Sequence, residues 1–242
     1  MVIKQIKDLI NVADIFKVKE KIILSRKKLP KHVALTTHFE SEENVPIEDS
    51  YKKKLDNIIN IIKTNVLLNI PMISFEVMNE QELEYKLIDP LVEFFKEIAS
   101  SKVITKNQIK ITVLGKWYDL PGRLVEEIKK TVEATKDFDK FFLNICINYD
   151  GQEEIVDAMR LIGMQVRVGK VDPTHIDKQL IKENLYTSQL LPPGLIIKTG
   201  EGNKLGGFLL WDSANANVYY SQISWLDFDK TEFFKALETF QK

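Results

Sequence analysis

The sequence of 242 residues has a single cysteine, ten glycines and no long uninterrupted apolar run. One cysteine excludes an intramolecular disulfide, and Cys146 lies inside the apolar run Phe141–Ile147, where a buried thiol is expected rather than a nucleophile. No stretch approaches the roughly 18 consecutive apolar residues of a transmembrane helix. Residues 1–14 are amphipathic and lack the apolar region and cleavage site of a signal peptide. We therefore predict a cytoplasmic protein, and contact with a membrane surface stays open.

Charge and motif content exclude several classes of function. Lysine and arginine number 34 against 35 aspartates and glutamates, so the chain lacks the basic excess of a nucleic-acid-binding protein. Its glycines form no phosphate-binding fingerprint. His32, His38 and His175 lie far apart in the sequence, which predicts no metal centre. We interpret His32 as structural and His38, at the end of a predicted strand, as a solvent-facing loop residue.

Apolar runs alternate with amphipathic segments along the whole chain. The pattern predicts strands at 32–37, 70–78, 109–114, 141–148, 195–198 and 218–223. Apolar residues at helical spacing predict helices between the first four strands, the first of them at 55, 58, 59 and 62. A fourth helix is predicted to begin at 155–162 and a further one at 208–211. Such alternation is typical of a mostly parallel sheet with helices on both faces. The sequence therefore predicts one α/β domain spanning residues 1–242.

Two polar segments have both a structural and a functional interpretation. The stretch 198–207 (KTGEGNKLGG) could wrap an anion with backbone N–H groups and the ammonium groups of Lys198 and Lys204, or could be a solvated turn. Asp227 and Asp229 could form a metal pair, but acidic residues that begin the last helix explain them equally well.

The C-terminal half resembles the cis-prenyltransferase, or undecaprenyl diphosphate synthase, family. The segments 195–200 (LIIKTG), 208–211 (FLLW), 218–220 (VYY) and 225–228 (WLDF) are similar to its L-I-R-T-G, F-L-L-W, E-x-Y-F and W-P-D-F motifs. Upstream, 143–152 (LNICINYDGQ) resembles L-N-I-A-x-N-Y-G-G-R, and 32–35 (HVAL) resembles H-V-A-I. The resemblance covers roughly residues 30–240 in order.

This resemblance implies a single α/β domain with a hydrophobic tunnel, usually a homodimer, that condenses isopentenyl diphosphate with an allylic diphosphate. In the family an aspartate of D-G-N and a later glutamate help to hold Mg²⁺, and two arginines bind a diphosphate. Here the aspartate position is His38, Glu40 stands in place of the asparagine, and Asn217 replaces the glutamate. Lys198 and Lys204 replace the arginines, and Thr199 follows the first of them. Lysine keeps the charge of arginine but loses its bidentate geometry.

These departures lead to the hypothesis that the chain is catalytically degenerate. It predicts no catalytic residues, no metal ligands and no cofactor, with Mg²⁺ needed only if the chain is active. Lys198, Thr199 and Lys204 remain the candidate diphosphate-binding residues. The favoured role is an accessory subunit that pairs with a catalytic cis-prenyltransferase, and a homodimer is also expected, through 208–211, 218–220 and 225–228. Two alternatives stay open: a divergent active polyprenyl diphosphate synthase, and a protein that binds an isoprenoid lipid without converting it.

Overall fold

Six parallel strands form one sheet in the order β3-β4-β2-β1-β5-β6. The structure is a computed structural model and describes residues 28–37, 46–78, 87–200, 202 and 204–241. The strands are β1 (His32–Thr36), β2 (Met72–Met78), β3 (Ile109–Leu114), β4 (Phe141–Ile147), β5 (Leu195–Lys198) and β6 (Asn217–Tyr220). The predicted single α/β domain with a parallel sheet is confirmed.

Seven α-helices among the described residues connect and cover these strands. They are α1 (Ile47–Leu67), α2 (Ile88–Ile98), α3 (Lys102–Asn107), α4 (Gly122–Thr135), α5 (Gly151–Arg167), α6 (Lys178–Asn184) and α7 (Lys230–Phe240). Short 3₁₀ turns lie after β3, after α5 and before β6 (Trp117–Asp119, Pro173–His175 and Asp212–Asn215). No helix within the described part of the chain is long and apolar enough to cross a bilayer.

Alternate side chains of the strands enter two apolar layers, one on each face of the sheet. On β1, Val33 and Leu35 face the larger layer, which α1, α2, α4 and α7 cover, while Ala34 faces the smaller one. Cys146 is wholly buried in the smaller layer, as predicted, and burial raises the pKa of its thiol. This thiol therefore packs as a small apolar side chain.

A buried polar cluster lies on the same face as Cys146 and contains His32. Its Nδ1 lies 2.6 Å from the carbonyl oxygen of Leu191 and its Nε2 lies 2.7 Å from Ser74 Oγ, which also accepts a hydrogen bond from Asn144. Burial lowers the pKa of His32 to about 4, so its ring is neutral at pH 7. The prediction that His32 is structural is confirmed.

A buried ion pair fixes α6 against the turn before β6. Lys182 Nζ lies 2.7 Å from each carboxylate oxygen of Asp212 and 2.7 Å from the carbonyl oxygen of Thr187. The Asp212 side chain is only 4% exposed, so its charge depends on this contact. The neighbouring backbone N–H of Thr187 donates to Glu154 of α5, which also accepts from the Tyr149 hydroxyl. Burial raises the pKa of both Tyr149 and Glu154.

The segment 208–211 is not the start of a helix, contrary to prediction. It forms turns, and Leu209 has a positive φ of 47° that a helix does not allow. Phe208 and Leu209 are 0% and 1% exposed because they fill the smaller apolar layer. Tertiary packing therefore overrides the helical spacing of apolar residues here. The short helices α3 and α6 were not predicted either.

Candidate functional site

The chain changes direction across the sheet between β1 and β5. From β1 the chain continues to β2 on one side, and from β5 it continues to β6 on the other. All six strands are parallel, so their carboxyl ends share one edge. Ligands of parallel α/β sheets bind outside the carboxyl ends at such a switch point. We therefore take the edge beyond Thr36 and Lys198 as the candidate site.

Threonines join the ends of the three central strands at this edge. Thr36 of β1 is the register partner of Lys198 of β5, and Thr199 Oγ1 donates to the Thr36 carbonyl oxygen at 2.8 Å. On the other side, the Thr37 hydroxyl donates to the carbonyl oxygen of Glu76 in β2. Thr37 and Thr199 are almost wholly buried. These contacts place the partly exposed Lys198 beside the end of β1.

Of the three predicted diphosphate-binding residues, Lys198 is the one whose charged side chain lies at this edge. Its Nζ donates to the carbonyl oxygen of Thr199 at 3.0 Å, which leaves further N–H donors of the same ammonium. Gly200 follows with a φ of 79°, and its N–H donates to the carbonyl oxygen of Ile223. The chain therefore turns sharply after Lys198 and Thr199. An ammonium at the end of a strand beside such a turn suits an anion.

The first turns of α1 add a buried lysine to the same region. Lys54 is 0% exposed, and its Nζ lies 5.0 Å from the centre of the Tyr51 ring. The Tyr51 hydroxyl donates to the carbonyl oxygen of Val77 near the end of β2, at 3.1 Å. These contacts place the side chain of Lys54 near the carboxyl edge of the sheet.

Two buried hydroxyls belong to the end of β1 and to the first turn of α1. Thr36 Oγ1 and Ser50 Oγ are inaccessible to solvent and have no hydrogen-bond partner among the described residues. Buried hydroxyls normally have a partner, because an unmade hydrogen bond costs about 1 to 3 kcal/mol. Both atoms therefore have unused hydrogen-bonding capacity among the described residues.

The 225–228 segment anchors α1 next to this edge. Trp225 Nε1 donates to the carbonyl oxygen of Lys54 at 3.0 Å, and Asn57 donates to the carbonyl oxygens of Trp225 and Phe228 at 2.9 and 2.6 Å. Trp225 stacks on Phe228 and meets Phe75 of β2 edge to face. Trp225 and Phe228 are 0% and 1% exposed, so they are core residues and not the interface anchors that the sequence analysis expected.

The glycine-rich stretch packs against the start of α5. The Gly151 N–H donates to the Gly207 carbonyl oxygen at 3.0 Å, and a Cβ on Gly151 would lie 2.2 Å from that oxygen. Asp150 caps α5 by accepting from the N–H groups of Gln152 and Glu153. The N-terminus of α5 is thus already occupied by a carboxylate. Lys204 is exposed on this stretch, and its contact with a diphosphate stays a prediction.

At the β3–β4 end of this edge, the backbone after β3 passes close to the end of β4. Gly115 has a φ of 101°, and a Cβ there would lie 2.4 Å from the carbonyl oxygen of Ile147. Lys116, which follows, donates from Nζ to Glu153 at 2.6 Å, and this hydrogen bond raises the pKa of the lysine. Only glycine fits at position 115, and the charge of Lys116 is paired with that of Glu153.

The other predicted positions do not join the site. Asn217 is exposed and pairs in register with Leu195, at the start of β5, so it lies about 10 Å from the Lys198 end of the sheet, at three residues of roughly 3.3 Å each. His38 and Glu40 lie outside the described residues. Among those described, no group of three or more histidine, cysteine, aspartate or glutamate side chains could hold a metal ion. A magnesium ion bound through one or two carboxylates and substrate phosphates needs no such group.

Local geometry bears on the two interpretations of Asp227 and Asp229. Asp229 caps α7 by accepting from the N–H groups of Thr231 and Glu232, so the interpretation of an acidic residue that begins the last helix is confirmed for Asp229. The sequence analysis missed Lys54, although its position offered a signal. It lies three residues after Tyr51 and one before Leu55, on the apolar face of α1.

Comparison with known proteins identifies a family over most of the chain. The family model described as "Putative undecaprenyl diphosphate synthase" matches residues 37–242. A tritrans,polycis-undecaprenyl-diphosphate synthase (geranylgeranyl-diphosphate specific) from Methanopyrus kandleri is 30% identical, over 96% of this chain and 91% of its own length. A protein of the same name from Methanocaldococcus jannaschii is also 30% identical, over 94% and 87%.

Solved structures share the fold. Lavandulyl diphosphate synthase from Lavandula x intermedia, in complex with dimethylallyl diphosphate, superposes with a TM-score of 0.83 and 21% identity, over 88% of this chain and 95% of the other. A probable undecaprenyl diphosphate synthase from Campylobacter jejuni gives a TM-score of 0.68 and 20% identity, over 89% and 96%.

The comparisons change one expectation from the sequence. The matched relatives are named as synthases, and nothing in the comparisons supports a degenerate accessory subunit. The departures at His38, Glu40 and Asn217 therefore do not by themselves establish loss of activity. The alternative of an active synthase agrees better with these findings.

Proposed function

The chain belongs to the undecaprenyl diphosphate synthase family, and on that premise we propose that it is a prenyl diphosphate synthase. It would join isopentenyl diphosphate to an allylic diphosphate. The observation that carries this proposal is similarity to named synthases over nearly the whole chain, including every strand that forms the switch-point edge. Geranylgeranyl diphosphate is the first allylic substrate to test, because both archaeal relatives are named as specific for it.

Lys198 at the switch point would give this reaction electrostatic support. The reaction breaks the C–O bond of the allylic diphosphate, forms a C–C bond to isopentenyl diphosphate and releases a proton and a diphosphate. Charge develops on the departing oxygen, so positive groups already held in place lower the barrier. Lys198, which is partly exposed at this edge, would contact a diphosphate directly.

Thr37 and Thr199 would hold the strand ends that position Lys198, and would not themselves react. Thr199 holds the end of β5 on the Thr36 carbonyl oxygen, and Thr37 holds the end of β1 on the Glu76 carbonyl oxygen. A fixed edge keeps Lys198 in place without further reorganisation.

The test measures incorporation of radiolabelled isopentenyl diphosphate by the purified full chain, with magnesium and with geranylgeranyl, farnesyl or dimethylallyl diphosphate. We expect a labelled polyprenyl product, and at least a tenfold loss of rate in Lys198→Met. Lys130→Met, on the exposed face of α4, is the matched control and should keep the wild-type rate. No incorporation with any of the three substrates would refute an independent synthase.

One observation favours a second candidate, the accessory subunit of a heteromeric synthase. In the family that the sequence resembles, two carboxylates help to hold the metal. This chain has His38 and Asn217 at those two positions. The same assay separates the candidates when a second chain with an intact D-G-N motif is co-expressed. Activity that requires both chains supports the subunit, whereas activity of this chain alone supports the synthase. Binding of labelled geranylgeranyl diphosphate without turnover in either arm would leave isoprenoid binding as the function and refute both.

A further inference from the structure

The central strand β2 contains one acidic residue, Glu76. It is the only aspartate or glutamate in the six strands, all of which lie within the described residues. Its neighbours Phe75 and Val77 are 0% exposed, whereas Glu76 itself is partly exposed. Strands in the middle of a parallel sheet are usually almost continuous apolar runs, because a carboxylate loses hydration there. A charged residue at this position therefore indicates a functional role.

The register of the sheet places Glu76 and Lys198 on one face, on either side of Thr36. Thr36 of β1 is the register partner of Glu76 in β2 and of Lys198 in β5. Side chains of register partners in neighbouring parallel strands point to the same face. Two strand spacings of roughly 4.8 Å put the Cα atoms of Glu76 and Lys198 about 10 Å apart. A negative and a positive side chain thus flank the end of β1 at the switch point.

Two further observations agree with this placement. Cys146 is the register partner of Glu76 in β4 and lies in the smaller apolar layer. Burial, and after it the negative charge of Glu76, raises the pKa of the Cys146 thiol, so the carboxylate lies on that side of the sheet. Between Glu76 and Lys198 in register, the Thr36 hydroxyl is buried and has no hydrogen-bond partner among the described residues. This part of the carboxyl edge therefore combines a carboxylate, an ammonium and a hydroxyl with unused hydrogen-bonding capacity.

The two charges suit different parts of a magnesium diphosphate. The ammonium of Lys198 can donate to phosphate oxygens directly. The carboxylate of Glu76 repels a bare diphosphate, but it attracts one that carries Mg²⁺, because the ion is the largest local charge. Mg²⁺ prefers oxygen ligands and is usually bound through one or two carboxylates together with substrate phosphates. Since a carboxylate offers about four lone-pair positions, Glu76 can bind a cation while it accepts a hydrogen bond from another group.

We propose that Glu76 is a magnesium ligand, and that the ion joins its carboxylate to the allylic diphosphate that Lys198 contacts. This inference rests on the proposed function of a prenyl diphosphate synthase. It gives the chain a metal-binding carboxylate on β2, although His38 and Asn217 occupy the positions where the family has carboxylates. The site is then shared between the two strands that flank β1.

Equilibrium dialysis of labelled geranylgeranyl diphosphate against the full chain, without isopentenyl diphosphate, tests this role without turnover. The unmodified chain should bind at least tenfold more tightly in Mg²⁺ than in EDTA. Glu76→Gln keeps the size of the side chain and removes its charge, so this gain should fall below threefold, while binding in EDTA should be no weaker. Glu76→Asp, which keeps the carboxylate, should recover part of the gain. Glu183→Gln, at an exposed position of α6, is the matched control and should keep the full gain.

Lys198→Met should weaken binding in both conditions and keep the gain from Mg²⁺, which separates the ammonium from the metal ligand. A tenfold gain retained in Glu76→Gln would overturn the inference, and so would an unmodified chain without any gain. Glu76→Ala, with the same expected loss, decides the question if Glu76→Gln does not fold. Incorporation of isopentenyl diphosphate judges the proposed function separately. Turnover by the unmodified chain with a full gain in Glu76→Gln would refute only the role of Glu76, whereas a gain that depends on Glu76 without turnover would refute only the synthase.

Discussion

Replacing Lys182 by methionine should destabilise the chain by about 3 to 5 kcal/mol, because the Asp212 carboxylate would stay buried without its cation. The side chains of Lys182 and Asp212 are 16% and 4% exposed, and two N–O contacts of 2.7 Å join them. The substitution also removes the hydrogen bonds from Lys182 to the carbonyl oxygen and hydroxyl of Thr187, which are 2.7 and 3.2 Å long. Methionine keeps most of the side-chain volume, so the loss reflects the charge.

Urea unfolding at pH 7, followed by circular dichroism, measures this effect. A loss of this size corresponds to a fall in melting temperature of about 10 °C for a protein of this length. Lys130→Met is the matched control, since Lys130 pairs with Glu126 and Glu127 on an exposed helix face, and it should leave the transition unchanged.

The double variant Lys182→Met with Asp212→Leu separates charge burial from packing. Removing both charges should recover most of the stability lost in the single variant, because no ion then remains buried. A single variant that loses less than about 1 kcal/mol would refute the argument, and so would a double variant less stable than Lys182→Met.

Three further predictions follow from other features. Gly151→Ala should lower the melting temperature, since its Cβ would lie 2.2 Å from the Gly207 carbonyl oxygen. Gly163→Ala, whose Cβ would have no atom within 4 Å, should raise the melting temperature slightly. Equal shifts in the two variants would contradict this argument. The folded-state pKa of His32, about 4 against 6.5, means that the unfolded chain binds more protons, so roughly 3 kcal/mol of stability should be lost as pH falls from about 6.5 to 4. His32→Gln should flatten that dependence, and exposed His175→Gln should not. Light scattering should show a dimer that Met159→Glu dissociates, because α5 exposes Val156, Met159 and Met164; an unchanged mass would contradict this interface.

Repeated apolar runs predicted five strands to within two residues at each end, whereas the strand predicted at 218–223 ends at Tyr220. Ile109–Leu114 and Leu195–Lys198 agree with the structure at both ends, and the helical spacing of 55, 58 and 62 predicted α1. The local pattern failed where distant packing decides conformation. Leu209 adopts a positive φ because Phe208 and Leu209 fill a layer formed by residues far away in the sequence.

The candidate site was only partly predictable. The order of strands places Lys198 and Thr199 at the switch point, and the motif around them was recognised. The position of Lys54 depends on how α1 packs over the ends of the strands, which no local pattern specifies. The Lys182–Asp212 pair joins residues 30 positions apart, and neither position has a distinctive sequence signal.

The central position of β1 affects how the chain folds during synthesis. β1 pairs with β2 on one side, but its other partner, β5, begins only at Leu195, far along the sequence. At about 5 to 20 residues per second, a ribosome needs roughly ten to thirty seconds to make the intervening chain. Throughout that interval the apolar strand Val33–Leu35 has an unpaired edge able to join a strand of another nascent chain. Productive folding therefore depends on protecting this edge until the end of β5 leaves the ribosome.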